Sequence, residues 1–178
     1  MYQMKFNLKS VSPYIQNNPI ESIETVKSSS GKTRIGKAKL DSEKTGYKNS
    51  KGFYIPARQI KGMMFQAGKK VKMGRGSIAN FIKACVFCEN LEYQMFMEGK
   101  IIKEPDFIYN DPIIKKDGQM VFNPRVAFHE WEADIILNIT DDAIPKEKIL
   151  EVLAVGGLYV GLGSRRPEYG RFMVVEEA

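Results

Sequence analysis

Gly157-Leu-Tyr-Val-Gly-Leu-Gly-Ser-Arg-Arg-Pro-Glu-Tyr-Gly-Arg-Phe-Met-Val174 is the stretch that decides how this chain is read. A helical pattern precedes it, and it runs out into an apolar strand. Between them lie four glycines (Gly157, Gly161, Gly163, Gly170) and three arginines (Arg165, Arg166, Arg171). Glycine lets backbone N–H groups approach a ligand closely, because no Cβ stands in the way. Arginine adds a planar fork that matches phosphate oxygens. A glycine-arginine turn closing a helix–strand unit therefore points to a nucleic-acid backbone. The plainer alternative is a tight turn with solvated arginines.

Working back from that turn, Ile149, Leu150, Val152 and Leu153 form the apolar stripe of a helix from about Pro145 to Val155. Asp141-Asp142 sits where a helix N-cap belongs, which is favoured over a metal pair. Val126–Ile139, centred on Trp131, reads as a long strand. Residues 94–124 read as an excursion with a hairpin around Lys116-Asp-Gly118. Ile82–Tyr93 holds another strand, with a helical turn over 77–83 as the alternative, and Lys72–Ser77 is a basic, glycine-containing loop. Ile60, Met63, Met64 and Ala67 recur at helical spacing after Pro56, giving a helix over 57–70. At the start, Tyr2, Met4, Phe6 and Leu8 alternate with Gln3, Lys5, Asn7 and Lys9, a half-buried strand that Ser12-Pro13 ends. The order is strand, helix, strand, strand, helix, strand. That predicts an α+β, ferredoxin-like (RRM-like) βαββαβ plan in a single domain over 1–178, with a hairpin insertion before the third strand. The sheet face of that plan commonly binds RNA. Residues 14–52, with little periodicity, form a long basic loop after the first strand, and loops of that length are usually functional or disordered.

Charge is unevenly placed. From Lys27 to Lys83 there are fifteen Lys/Arg and two acids, a net +13, and the remainder carries −7. A concentrated positive field attracts polyanions and makes their binding salt-dependent. Within and beside that field, Lys37, Lys39, Lys48, Lys51, Arg58, Lys69, Lys70, Lys72 and Arg75 are candidate phosphate contacts. Tyr47, Phe53 and Tyr54 are candidate stacking groups, as single strands require. No run reaches a membrane span of roughly 18 apolar residues, and the N-terminus lacks a secretory apolar region. Two cysteines without an export signal suggest a reducing cytosol, so a cytoplasmic protein is expected.

Catalytic and metal signals are sparse. Cys85-Val-Phe-Cys88 is a lone CxxC, whereas structural zinc needs four ligands. On a strand its two thiols would face opposite ways, so buried thiols are expected. His129, the only histidine, could act as a general base on a 2′-OH, but a surface histidine is the favoured reading. Phosphate-loop, dinucleotide and zinc-protease motifs are absent, and neither metal nor cofactor is expected.

Three segments, in order, resemble the RAMP superfamily, the RNA-binding proteins of CRISPR effector complexes. They are Leu8-Lys-Ser-Val-Ser-Pro13, Tyr54-Ile-Pro-Ala-Arg-Gln-Ile-Lys-Gly62 and Gly161-Leu-Gly-Ser-Arg-Arg-Pro-Glu-Tyr-Gly-Arg171. The second is similar to the family's Ile-Pro-Gly-Ser-Ser-Leu-Lys-Gly signature, with Ala57 and Arg58 replacing the usual Gly-Ser. The ending also resembles small phage and prophage proteins. The resemblance implies binding along single-stranded nucleic acid, in a bacterial, archaeal or phage-infected cell. The chain would be a homo-oligomer or one subunit of a ribonucleoprotein complex. Lys61 and Gly62 would lie beside the strand path. Gly161, Gly163, Arg165, Arg166, Gly170 and Arg171 would form a phosphate-contacting loop. Some members cut RNA with an aspartate in the loop after the first strand, and Asp41 is the only aspartate in 11–52. The expected function is non-catalytic binding of single-stranded RNA or DNA. The alternatives are a metal-independent endoribonuclease using His129 or Asp41, and a viral interaction protein resembling CRISPR subunits.

Overall fold

The alternation in Tyr2–Ser10 places that strand inside a sheet. In the computed structural model, which describes residues 1–18, 44–114, 118 and 120–176, it is antiparallel both to Glu132–Ile139, with Phe6 opposite Ile135, and to Phe172–Glu176, with Leu8 opposite Val174. Val86–Cys88 pairs antiparallel with the far side of 132–139, Cys88 opposite Leu137. Strands 2–10 and 86–88 therefore run parallel with 132–139 between them. The same holds for 132–139 and 172–176 about 2–10. Helix α1 (Ala57–Gly68) lies on the first connection and α3 (Lys146–Val155) on the second. Two split βαβ units interleave, which is the ferredoxin-like α+β arrangement.

One face of this sheet is dry. Met4, Phe6, Leu8, Ile135, Leu137 and Ile139 are buried, as are Ile60, Met63, Met64 and Ala67 of α1 and Ile149, Val152 and Leu153 of α3. Each of these side chains larger than alanine contributes about 1.5–3 kcal/mol by leaving water. The intervening Gln3, Lys5 and Lys9 remain exposed. Pro56 stands at the N-cap of α1 with φ −67°, an angle its ring already imposes. A π-helical turn, Gly156–Val160, extends α3. There a Cβ on Gly156 would overlap Met63 Sδ, and one on Gly157 would overlap the Phe172 carbonyl. These glycines let the end of α3 close onto α1 and the last strand.

Several expectations change. Val126–Ile139 is two strands, Met120–Phe128 and Glu132–Ile139, in different sheets. Phe128 and Trp131 are both buried, yet a continuous strand would point residues three apart to opposite faces. The chain bends between them, and Trp131 packs 5.4 Å from the Tyr14 ring and 6.2 Å from Phe172. Met120–Phe128 instead pairs with Phe107–Ile114 as the expected hairpin, with Gly118 in its turn at φ +81°. Residues 82–93 do contain the expected strand, Val86–Cys88, and the start of Glu92–Gln94, while the alternative helical turn over 77–83 is extended as helix α2 (Ala79–Cys85), with Ala79 and Ile82 buried. Cys85 ends that helix and Cys88 lies in the short strand, so the alternation argument fails, although both thiols are free and half-buried. Lys72–Met73 and Gly76–Ser77 pair as a small hairpin. The described part of the long loop is tied to the fold. Tyr14–Ile15 pairs with Ala127–Phe128, and Gln16 Nε2 donates to the Tyr54 carbonyl at 2.9 Å. Lys37, Lys39 and Asp41 lie outside the described residues. Among the described residues, no helix is long and apolar enough to cross a membrane.

Candidate nucleic-acid interface

The glycine-arginine stretch folds as a loop pinned against the turn that follows the first strand. Gly161, Gly163 and Gly170 have φ of +73°, +73° and +74°, a region open chiefly to glycine. Space demands glycine as well. A Cβ on Gly163 would overlap the Ile15 carbonyl and the Tyr14 ring, and one on Gly170 the Leu162 carbonyl. The Ser164 N–H donates to the Ile15 carbonyl at 2.9 Å, and the Arg171 N–H to Ser12 Oγ at 3.0 Å. Gly161 and Gly170 donate their own N–H groups to the carbonyls of Gly156 (2.8 Å) and Pro13 (2.7 Å). Those donors are engaged inside the protein. These two glycines serve close chain packing, rather than the presentation of N–H groups that the sequence suggested.

This pinning sets the loop beside the exposed face of α1. Asn17, Arg58, Gln59 and Gly62 face Gly163, Ser164 and Arg166 across a cleft of about 320 Å³. Through Gly163 and Arg166 the cleft continues into a wider section of about 660 Å³, bordered by Gln66, Lys70, Tyr159 and Arg165. Arg58, Lys70, Arg165 and Arg166 put four cations on this groove, and among the described residues no carboxylate lines it. Arg58 is held by the Tyr47 hydroxyl, to which it donates at 3.0 Å, and lies 5.2 Å from that ring's centroid. The Tyr14 hydroxyl donates to Gln59 Oε1 at 2.7 Å beneath the groove. Burial drives the Tyr14 pKa upward, while nearby Arg166 pulls the other way. Tyr159, 65% exposed, offers a flat ring at the rim.

Gly62 is the informative glycine. It lies mid-helix and exposed, and a Cβ built on it meets nothing within 4 Å. Gly68 has a packing reason, since its Cβ would come 3.1 Å from Ala79 Cα of α2. An interior helical glycine costs about 1 kcal/mol relative to alanine. At Gly62 no internal contact repays that cost; its missing side chain leaves open space in the groove.

The remaining predicted residues are dispersed. Lys61 points away from the groove: its Nζ donates to the carbonyls of Ile82 and Val86 and lies 4.9 Å from the Phe87 centroid. Burial lowers its pKa, and it ties α1 to α2. Lys69 rests 4.9 Å from the Phe65 centroid, and Lys72 and Arg75 project from the small hairpin. Lys48 lies over the Phe53 ring, and Lys51 borders a separate cavity with Glu92 and Asp134. Phe53 and Tyr47 are buried, so neither offers a face to a base; Tyr54 is half-buried beside a depression that also contains Arg58. Arg171 is exposed on the same loop. His129 is stacked on Phe107 with centroids 4.4 Å apart, and its backbone N–H donates to Asp106 Oδ2 at 2.6 Å. It lines neither section of the groove. Asp141 Oδ1 accepts from the Ala143 N–H at 2.9 Å, a turn ahead of α3 instead of its N-cap, which is Pro145. Among the described residues, no three His, Cys, Asp or Glu side chains gather as metal ligands.

Asn17, Gln59, Gln66 and Tyr159 were not foreseen. Polar amides carry no charge signal, and Tyr159 reads as part of the apolar run Val155–Val160.

Fold and groove together define a ferredoxin-like α+β protein with a basic cleft between its first helix and its C-terminal loop. The crystal structure of Cmr6 from Pyrococcus furiosus shares this fold. It matches with a TM-score of 0.51 and 11% identity, over 99% of this chain and 98% of that one. At that identity the likeness is one of fold. No family model and no curated protein matches the sequence.

Proposed function

We propose that the chain binds single-stranded RNA or DNA along this groove, without turnover, as a subunit of a nucleoprotein assembly. The observation that carries the reading is the groove's lining: among the described residues, four cations and no acids, over a helix kept bare at Gly62. Cations spaced along a cleft suit a string of phosphates, and sequence-tolerant stacking suits Tyr159. The resemblance of three segments to the RAMP superfamily, together with the fold shared with Cmr6, favours the same reading. The test is fluorescence anisotropy of labelled single strands over a salt series. Affinity should fall by orders of magnitude from low to moderate salt. Arg58→Ala with Arg166→Ala should weaken binding and flatten the salt slope by about one per lost contact. Salt-independent binding, or a double variant that binds like the parent, refutes it.

A further inference from the structure

The loop that lines the groove also reaches the hairpin of 107–128. Tyr169 of the loop meets Tyr109 of the hairpin edge-to-face, centroids 5.4 Å apart at 64°. Both rings are half-buried. Arg125 lies directly opposite Tyr109 in the strand register. Its Nε is sealed from solvent without a hydrogen-bond acceptor, and among the described residues it has no carboxylate partner. A sealed donor left unpaired is costly. In a hairpin of this kind a guanidinium can snorkel into water or pair with an acid, and here it does neither completely.

The geometry points to a second subsite for the same ligand, in which Tyr109 and Tyr169 take an unpaired base and Arg125 its phosphate. This rests on the function proposed above and extends it beyond the groove. A tyrosine ring gives a base a π-face at little entropic cost, and its edge-to-face partner holds that ring in place. Arg125 as a whole is only half-buried, so the remainder of its guanidinium, not the sealed Nε, supplies the donors that a phosphate accepts. Residues 161–171 then link the two subsites, because Arg165 and Arg166 line the groove while Tyr169 joins the hairpin.

The test uses a short uridine oligomer carrying one fluorescent purine analogue, whose emission is quenched when its base is stacked. Quenching is expected on binding to the parent protein. Tyr169→Leu and Tyr109→Leu should each restore emission and weaken binding about tenfold, the scale of losing one stacked base, with the salt slope unchanged. Tyr169→Phe should behave like the parent, which separates loss of the ring from a misfolded loop. Arg125→Gln should lower the salt slope by about one. If the Leu variants keep parental affinity and quenching while Arg58→Ala with Arg166→Ala abolishes binding, the subsite falls and the groove stands. If the parent binds no single strand, both fall.

Discussion

Gly62 separates stability from binding. In Gly62→Ala the new methyl meets no atom within 4 Å, so no collision offsets the gain in helix propensity. The position is mid-helix in α1, where alanine exceeds glycine by about 1 kcal/mol. The variant should therefore melt about 2–4 °C higher, the shift expected for that energy in a chain of this size. Gly62→Leu retains most of the propensity gain and projects a branched side chain into the cleft between Arg58 and Arg166. Its affinity for a single strand should fall about tenfold, the equivalent of 1.4 kcal/mol, while its melting temperature stays at or above the parent's. Calorimetry and anisotropy on the same preparations check both halves. Gly62→Leu with higher stability and parental affinity would show that no ligand uses this cleft. A destabilised Gly62→Ala would show that the space assigned to the Cβ is filled.

Gly163→Val combines a φ of +73° with overlap against the Ile15 carbonyl, and should cost about 3 kcal/mol or more, read as a lower urea midpoint. Arg165→Ala with Arg166→Ala should reduce affinity and leave the melting temperature within a few degrees, since both side chains are exposed. Burial raises the Tyr93 hydroxyl to about 12 against hydrogen bonds that pull it down, so the folded state holds its proton more tightly than the unfolded chain. Its contribution to stability is full below about pH 10 and is lost as pH rises toward 12. Urea midpoints should therefore fall through that range, and fall less steeply in Tyr93→Phe. No cleavage of end-labelled single strands is expected with or without divalent metal. Discrete products that vanish in His129→Ala or Asp41→Ala would overturn that.

The sheet was legible where one periodicity governed a whole element. Tyr2–Ser10 alternates cleanly, and α1 and α3 carry stripes of large apolar residues. Legibility failed where burial came from two directions. Phe128 and Trp131 looked like one apolar strand, since the sequence does not record that they serve different sheets. The boundary between helix and strand near Ile82 stayed open because α2 is only seven residues long. At the groove, Arg58, Gly62, Lys70 and Arg166 were legible as charge and motif. Lys61 was misread because nothing local announced two carbonyls waiting for its ammonium. Tyr47 and Phe53 have the spacing of stacking rings within a basic segment, yet both are core.

The strand 172–176 is joined to the sheet only through residues 6–10. Its closure positions the loop that forms one wall of the groove. A chain emerging from the ribosome can fold α1 early, but the opposing wall cannot be set until residues 161–176 have been synthesised and return to the first strand. Such a distant pairing delays completion of the fold. It also means that a stalled or shortened chain carries Arg58 and Lys70 without the facing Arg165 and Arg166, so the four cations come together only once the last strand has closed.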